Sequence, residues 1–135
     1  MKKILLFFVA FLIPISVFAD SGSSTIIMDV DSGRVLYEKN ANSTKLIAST
    51  TKIMTCIIAL ENSDIEKEIT VGEEVLSMYG TNIYIEKGEK LKIIDLLYGL
   101  MLRSGNDAAI ALAYNTLGYE NFINKMNEKA KEIGM

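Results

Sequence analysis

The sequence predicts an α+β domain. Two short apolar runs on either side of Asp31-Ser32-Gly33 predict an early β-hairpin, and four apolar or amphipathic stretches after residue 48 predict a helical region. An apolar leader ahead of the hairpin predicts that the folded part begins near residue 20.

The elements follow in order. Ser24 to Val30 reads as a strand, Asp31-Ser32-Gly33 as a turn and Arg34 to Tyr37 as the returning strand. Lys39 to Lys45 is polar and loop-like. A helix is predicted from about Ser49 to Leu60. Ile53, Met54, Ile57, Ile58 and Leu60 make it apolar over most of its circumference, which predicts a central, buried helix. Asn62-Ser63-Asp64 ends it. Glu68 to Val71 is a short strand. Ile83 to Ile85 and Leu91 to Ile93 flank Glu86 to Lys90, which predicts a turn or small hairpin. Ile94 to Leu102 is a helix with Leu96, Leu97, Leu100 and Met101 inward. The turn Arg103-Ser104-Gly105-Asn106 separates it from a helix over Asp107 to Leu117, where Asp107 favours the helix N-terminus. Gly118 punctuates. Glu120 to Ile133 is amphipathic, carrying Phe122, Ile123, Met126, Ala130 and Ile133. A two-stranded hairpin is marginal alone and leaves an open edge, so a larger sheet is expected than this sequence supplies.

The ends and the composition narrow the function. Met1-Lys2-Lys3 is basic, Ile4 to Phe18 is apolar, and Val17-Phe18-Ala19 suits cleavage after Ala19, so residues 1–19 read as a signal peptide. The run is shorter than the roughly 20 residues a spanning helix needs. An uncleaved anchor is the alternative; either way the remainder, residues 20–135, is expected to work outside the cytoplasm. Losing Lys2 and Lys3 leaves 12 basic against 17 acidic residues, a formal charge of −5. An acidic exported domain does not fit nucleic-acid binding, which relies on basic patches. Cys56 is the only cysteine, which excludes an intrachain disulfide, and its apolar flanks predict a buried structural thiol.

The chain has no histidine. Nucleophilic catalysis here must take its base from lysine or a carboxylate. Ser49-Thr50-Thr51-Lys52 places a hydroxyl and an amine three residues apart at the start of a helix, on one face. The apolar stretch after Lys52 predicts partial desolvation, which lowers a lysine pKa and lets Lys52 accept the Ser49 proton. The alternative is a helix-capping serine with a solvated lysine one turn on. Ser104-Gly105-Asn106 alone reads as an interhelical turn. Facing Ser49 and Lys52, its hydroxyl can relay a proton and its Asn amide can hold a peptide.

Together, Ser49-Thr50-Thr51-Lys52-Ile53-Met54-Thr55 and Ser104-Gly105-Asn106-Asp107-Ala108-Ala109 resemble the first two signatures of the penicillin-binding serine enzymes. The similarity is greatest to the low-molecular-weight D-alanyl-D-alanine carboxypeptidases. It extends through Asp31 to Tyr37, Leu97 to Arg103 and Phe122 to Met135, nearly all of residues 24–135. The resemblance implies a β-lactamase/transpeptidase-like fold. It implies Ser49 as nucleophile on a peptidoglycan stem peptide ending in D-Ala-D-Ala, Lys52 as its base, Ser104 as donor toward the leaving amine and Asn106 as substrate ligand. The Ser49 N–H would be one oxyanion donor. β-Lactams would acylate Ser49. It implies no cofactor, no metal and no nucleic-acid partner, a place at the outer face of the cytoplasmic membrane in cell-wall remodelling, and leaves membrane association of a full-length protein open.

The family's third signature, Lys-Thr-Gly on a later strand, is absent, along with the C-terminal strands of the sheet. Residues 20–135 are therefore expected to be the N-terminal part of a longer enzyme, poorly stable and inactive alone. A class A β-lactamase shares the two motifs, but usually with Asp where Gly105 stands. A non-catalytic β-lactam sensor or wall-binding module is the other alternative; the intact Ser49, Lys52, Ser104 and Asn106 argue against it.

Overall fold

A computed structural model describes residues 20–135. The expected signal peptide lies outside the described residues. The chain divides into two compact units between Lys45 and Leu46.

The first unit is the expected hairpin. Strand β1 (Thr25–Met28) pairs antiparallel with β2 (Val35–Lys39), with Thr25 opposite Lys39 and a bulge after Ile27. The Asp29 carboxylate accepts the Ser32 N–H at 2.9 Å, and Gly33 takes a φ of +67°, a conformation glycine adopts without a Cβ penalty. Ile26, Ile27, Leu36 and Tyr37 all stay substantially exposed. Asp20 ties the ribbon's open end, accepting from the Gly22 N–H and Thr25 Oγ1 at 2.9 Å and pairing with Lys39 at 3.5 Å.

The second unit carries four helices: α1 (Thr51–Asn62), α2 (Ile93–Arg103), α3 (Asn106–Thr116) and α4 (Tyr119–Glu132). A small ribbon of β3 (Glu68–Thr70) and β4 (Lys90–Lys92) pairs antiparallel, Ile69 opposite Leu91. The ribbon leads directly into α2, whose first turn is tied by the Asp95 carboxylate accepting the Lys92 N–H at 3.2 Å. Ile58, Val71, Ile93, Leu96, Leu100, Leu112 and Phe122 are fully buried between these elements. Each large apolar side chain so buried contributes about 1.5–3 kcal/mol. Ala108, Ala111 and Ala113 let α3 lie close among its neighbours.

Several expectations are corrected. Ile83 to Ile85 is not a strand; β3 is the partner of β4. The Ile83 and Ile85 N–H groups are taken instead by the side chain of Asp107, at 3.0 Å each, and Tyr84 between them has a φ of +64°. Helix α1 is not buried all round. Only Thr55, Ile58 and Ala59 are buried, whereas Ile53 and Leu60 are about half exposed. One face packs on α2, α3 and α4; the other borders an open apolar cleft of about 460 Å³, lined by Ile47, Ile53, Met54, Ile57, Met126 and Ile133. Ile133 at the end of α4 lines the same cleft and is exposed, whereas Phe122 is fully buried; Ile123 is exposed as well, and Cys56 is only partly buried, its thiol pushed up by desolvation. Met101 points outward as well, the core side of α2 being complete with Leu96, Leu97 and Leu100.

Candidate active site

Ser49 does not start α1. It sits in a tight 3₁₀ turn, Ala48–Thr50, entered through Ala48 at a φ of +47°. No side-chain cap bond is made at this end of the helix, so Ser49 is not spent on capping. Its side chain is exposed. Lys52 lies in the first turn of α1 and is partly buried.

The opposing residues come from the break between α2 and α3. Ser104 ends α2 in the left-handed conformation, φ 58° and ψ 34°. This reverses the chain so that Ser104 and Asn106 both face Lys52. The Lys52 ammonium donates to Ser104 Oγ at 2.9 Å, to Asn106 Oδ1 at 2.7 Å and to the Ser104 carbonyl. Ser104 Oγ in turn donates to Ser49 Oγ at 3.0 Å. All four residues singled out from the sequence meet in one connected network.

One detail differs from expectation. Lys52 is hydrogen-bonded to Ser104 and Asn106, not to Ser49. The link to Ser49 passes through the Ser104 hydroxyl.

The network accommodates both protonation states of Lys52. As ammonium, its three N–H groups meet three oxygens. As neutral amine it has two N–H groups and one lone pair. Asn106 cannot donate to that lone pair, because its Nδ2 is held by the Tyr79 carbonyl at 2.7 Å, which turns Oδ1 toward Lys52. Of the three partners only the Ser104 hydroxyl can donate. A proton therefore has a path from Ser49 to Ser104 to Lys52. Burial pushes the Lys52 pKa below the ordinary lysine range, while the Asp107 carboxylate acts in the opposite sense.

Asp107 is the functional neighbour that sequence reasoning placed only as a helix-end charge. It is buried and accepts from the backbone of Ile83, Ile85 and Ala108. Two of those partners, Ile83 and Ile85, are backbone groups 24 and 22 residues away, for which no side-chain signal exists in the sequence. Asp107 also explains Gly105. The Gly105 backbone, φ −62° and ψ 122°, suits any residue, but an added Cβ would lie 2.9 Å from Asp107 Oδ1 and 3.2 Å from Ile83 Cγ2. Both neighbours are held in place. We predict that Gly105→Ala destabilises the protein by roughly 1–3 kcal/mol through overpacking, read as a lower urea midpoint with an unchanged slope.

Residues 16–135 match the model of the peptidase S11 family, described as D-alanyl-D-alanine carboxypeptidase. The chain is 39% identical over 123 residues to the D-alanyl-D-alanine carboxypeptidase DacF of Bacillus subtilis, covering 87% of this chain and 32% of that protein. It is 38% identical over 122 residues to DacC of Escherichia coli, covering 82% of this chain and 30% of the relative. Among solved structures it resembles a D-alanyl-D-alanine carboxypeptidase from Mycobacterium tuberculosis, with a TM-score of 0.78 at 32% identity over 83% of this chain and 42% of that one. It also resembles a mutant of the Streptomyces K15 DD-transpeptidase, with a TM-score of 0.73 at 32% identity over 84% of this chain and 48% of that one. The fold is thus part of the β-lactamase/transpeptidase-like architecture. The chain spans about a third of the length of these curated relatives. A serine hydroxyl linked through Ser104 to a partly buried lysine, on a chain matching that model over residues 16–135, leads to one conclusion: this chain belongs to the D-alanyl-D-alanine carboxypeptidase family.

Proposed function

We propose that this chain is the nucleophile-bearing part of a serine D-Ala-D-Ala carboxypeptidase that trims peptidoglycan stem peptides. The observation that carries this reading is the continuous Ser49–Ser104–Lys52 hydrogen-bond path, with Asn106 at its side. Ser49 Oγ attacks the carbonyl carbon between the two D-alanines. Its proton passes to Ser104 as the Ser104 proton passes to neutral Lys52. Collapse of the tetrahedral intermediate breaks the C–N bond, and the proton returns through Ser104 to the departing D-alanine amine. Water then hydrolyses the Ser49 ester. Asn106 lies beside this path, where its amide can hold the peptide.

The basic-apolar leader supports export, with the enzyme working at the outer face of the cytoplasmic membrane in the cell envelope. Penicillins act as inhibitors by acylating Ser49 in place of the terminal dipeptide. The Lys-Thr-Gly signature belongs to the remainder of the longer protein in this reading, so activity requires the full-length enzyme.

The test uses full-length protein with a fluorescent penicillin and with a peptide ending in D-Ala-D-Ala. A long-lived adduct on Ser49 and release of one D-alanine are expected. Rapid β-lactam turnover would replace this reading with a β-lactamase. Reversible binding with no adduct would leave a binding module.

A further inference from the structure

We propose that Asp107 is a positioning residue for Ser49 acylation: its buried carboxylate clamps the segment Thr81–Ile85 against the Ser104-Gly105-Asn106 turn and so fixes the acceptors that hold Lys52. The inference deepens the proposed function and rests on it for its kinetic readout.

Asp107 is 2% exposed. Among the described residues no lysine or arginine forms an ion pair with it. A buried carboxylate without a cation is costly unless its lone pairs are filled. They are filled by backbone N–H groups: Oδ1 and Oδ2 receive Ile83 at 3.0 and 3.1 Å, Oδ2 receives Ile85 at 3.0 Å, and Oδ1 receives Ala108 at 2.9 Å. Several donors converge on one side chain, so the position demands a group that only accepts. An asparagine would turn an NH₂ toward at least one of those N–H groups.

The clamped segment reaches Asn106 directly at Thr81, and the chain just before it does so at Tyr79. The Asn106 N–H donates to the Thr81 carbonyl at 2.7 Å, and Asn106 Nδ2 donates to the Tyr79 carbonyl at 2.7 Å. Those bonds aim Asn106 Oδ1 at Lys52. The Asp107 N–H donates to Asn82 Oδ1 at 3.2 Å, closing the clamp from the other side. Asp107 is also the charged group among the described residues whose field acts on Lys52. Loosening the clamp misplaces Lys52 and Asn106; removing its charge alters the base.

The test compares full-length wild type with Asp107→Asn and Asn82→Ala. Three readouts are taken: amide exchange at Ile83 and Ile85, the Lys52 titration by NMR, and the pH profile of acylation by a fluorescent penicillin. In the wild type the two amides are expected to be protected although they lie outside any strand. In Asp107→Asn they should exchange at least about tenfold faster. Acylation on the high-pH plateau should fall by about tenfold to a hundredfold. The acid limb should move to lower pH, because Lys52 loses the anion that favours its charged form. Asn82→Ala keeps that charge and should slow acylation without moving the limb. Wild-type acylation and an unmoved limb in Asp107→Asn would overturn the proposal, as would a lower plateau with an unmoved limb, which describes structural support only. Free-loop exchange of Ile83 and Ile85 in the wild type would overturn it even if the variant failed to fold. Absence of acylation in the wild type would instead refute the proposed function, leaving exchange and the Lys52 titration to judge the clamp.

Discussion

Replacing Ser49 with alanine in the full-length protein is expected to abolish covalent capture of a labelled penicillin, with a rate loss on the order of 10⁶-fold, the scale seen when a serine nucleophile is removed from a connected catalytic unit. In the proposed mechanism Ser104, bonded to Lys52 at 2.9 Å, is the proton relay and Ser49 the nucleophile. The Thr50 hydroxyl is bonded to the Ile47 carbonyl, and only Ser49 receives the Ser104 hydroxyl. The fold should survive, because the Ser49 side chain is exposed and makes no helix-capping bond. Intact-protein mass spectrometry after penicillin exposure reads the chemistry, and a thermal melt within a degree or two of wild type shows that structure was kept. An adduct of undiminished yield on Ser49→Ala would move the nucleophile elsewhere.

The second large effect concerns Lys52. Arginine at this position keeps the charge but does not give up its proton in a protein. Lys52→Arg should therefore lose the general-base contribution, typically 10²- to 10⁴-fold, and its residual rate should not rise with pH. The wild type should behave oppositely. Burial places the Lys52 pKa below its ordinary value of 10.5, so the neutral base is populated at a lower pH than in a free lysine. Acylation should climb with pH below that lowered value and level off above it, short of 10.5. The same shift has a sign for stability. Between the lowered folded pKa and 10.5 the unfolded chain binds more protons than the native one, so this group's contribution grows with pH across that window. Stopped-flow acylation between pH 6 and 10 reads the rate profile; a limb centred at the ordinary lysine pKa would contradict the desolvation argument.

Much of this was legible in the chain. Helices α2, α3 and α4 follow from apolar spacing and from Gly118, because helical periodicity is a local property that tertiary packing here reinforces. The hairpin follows from Asp-Ser-Gly between apolar runs. The Ile83–Ile85 segment was misread because alternation of large apolar residues is shared by strands and by extended loops docked on a core. What separates them is who accepts the backbone N–H groups, and here that is Asp107. The half-exposed side of α1 was misread for a related reason. An apolar helix surface announces that something covers it, not which element does.

By itself the sequence determined the chemistry available: a serine and a lysine one turn apart, no histidine to take the base role, and a Ser-Gly-Asn turn between two helices. Those are properties of residue type and short spacing. Only the tertiary structure decided the wiring. Lys52 meets Ser104 and Asn106 across separations of 52 and 54 residues, and the serine that touches Ser49 is Ser104, whose left-handed backbone turns it into the site. Such contacts arise when packing of α1, α2 and α3 offsets the entropy of closing a long loop, so the path of the proton is set by the core that brings the two motifs together.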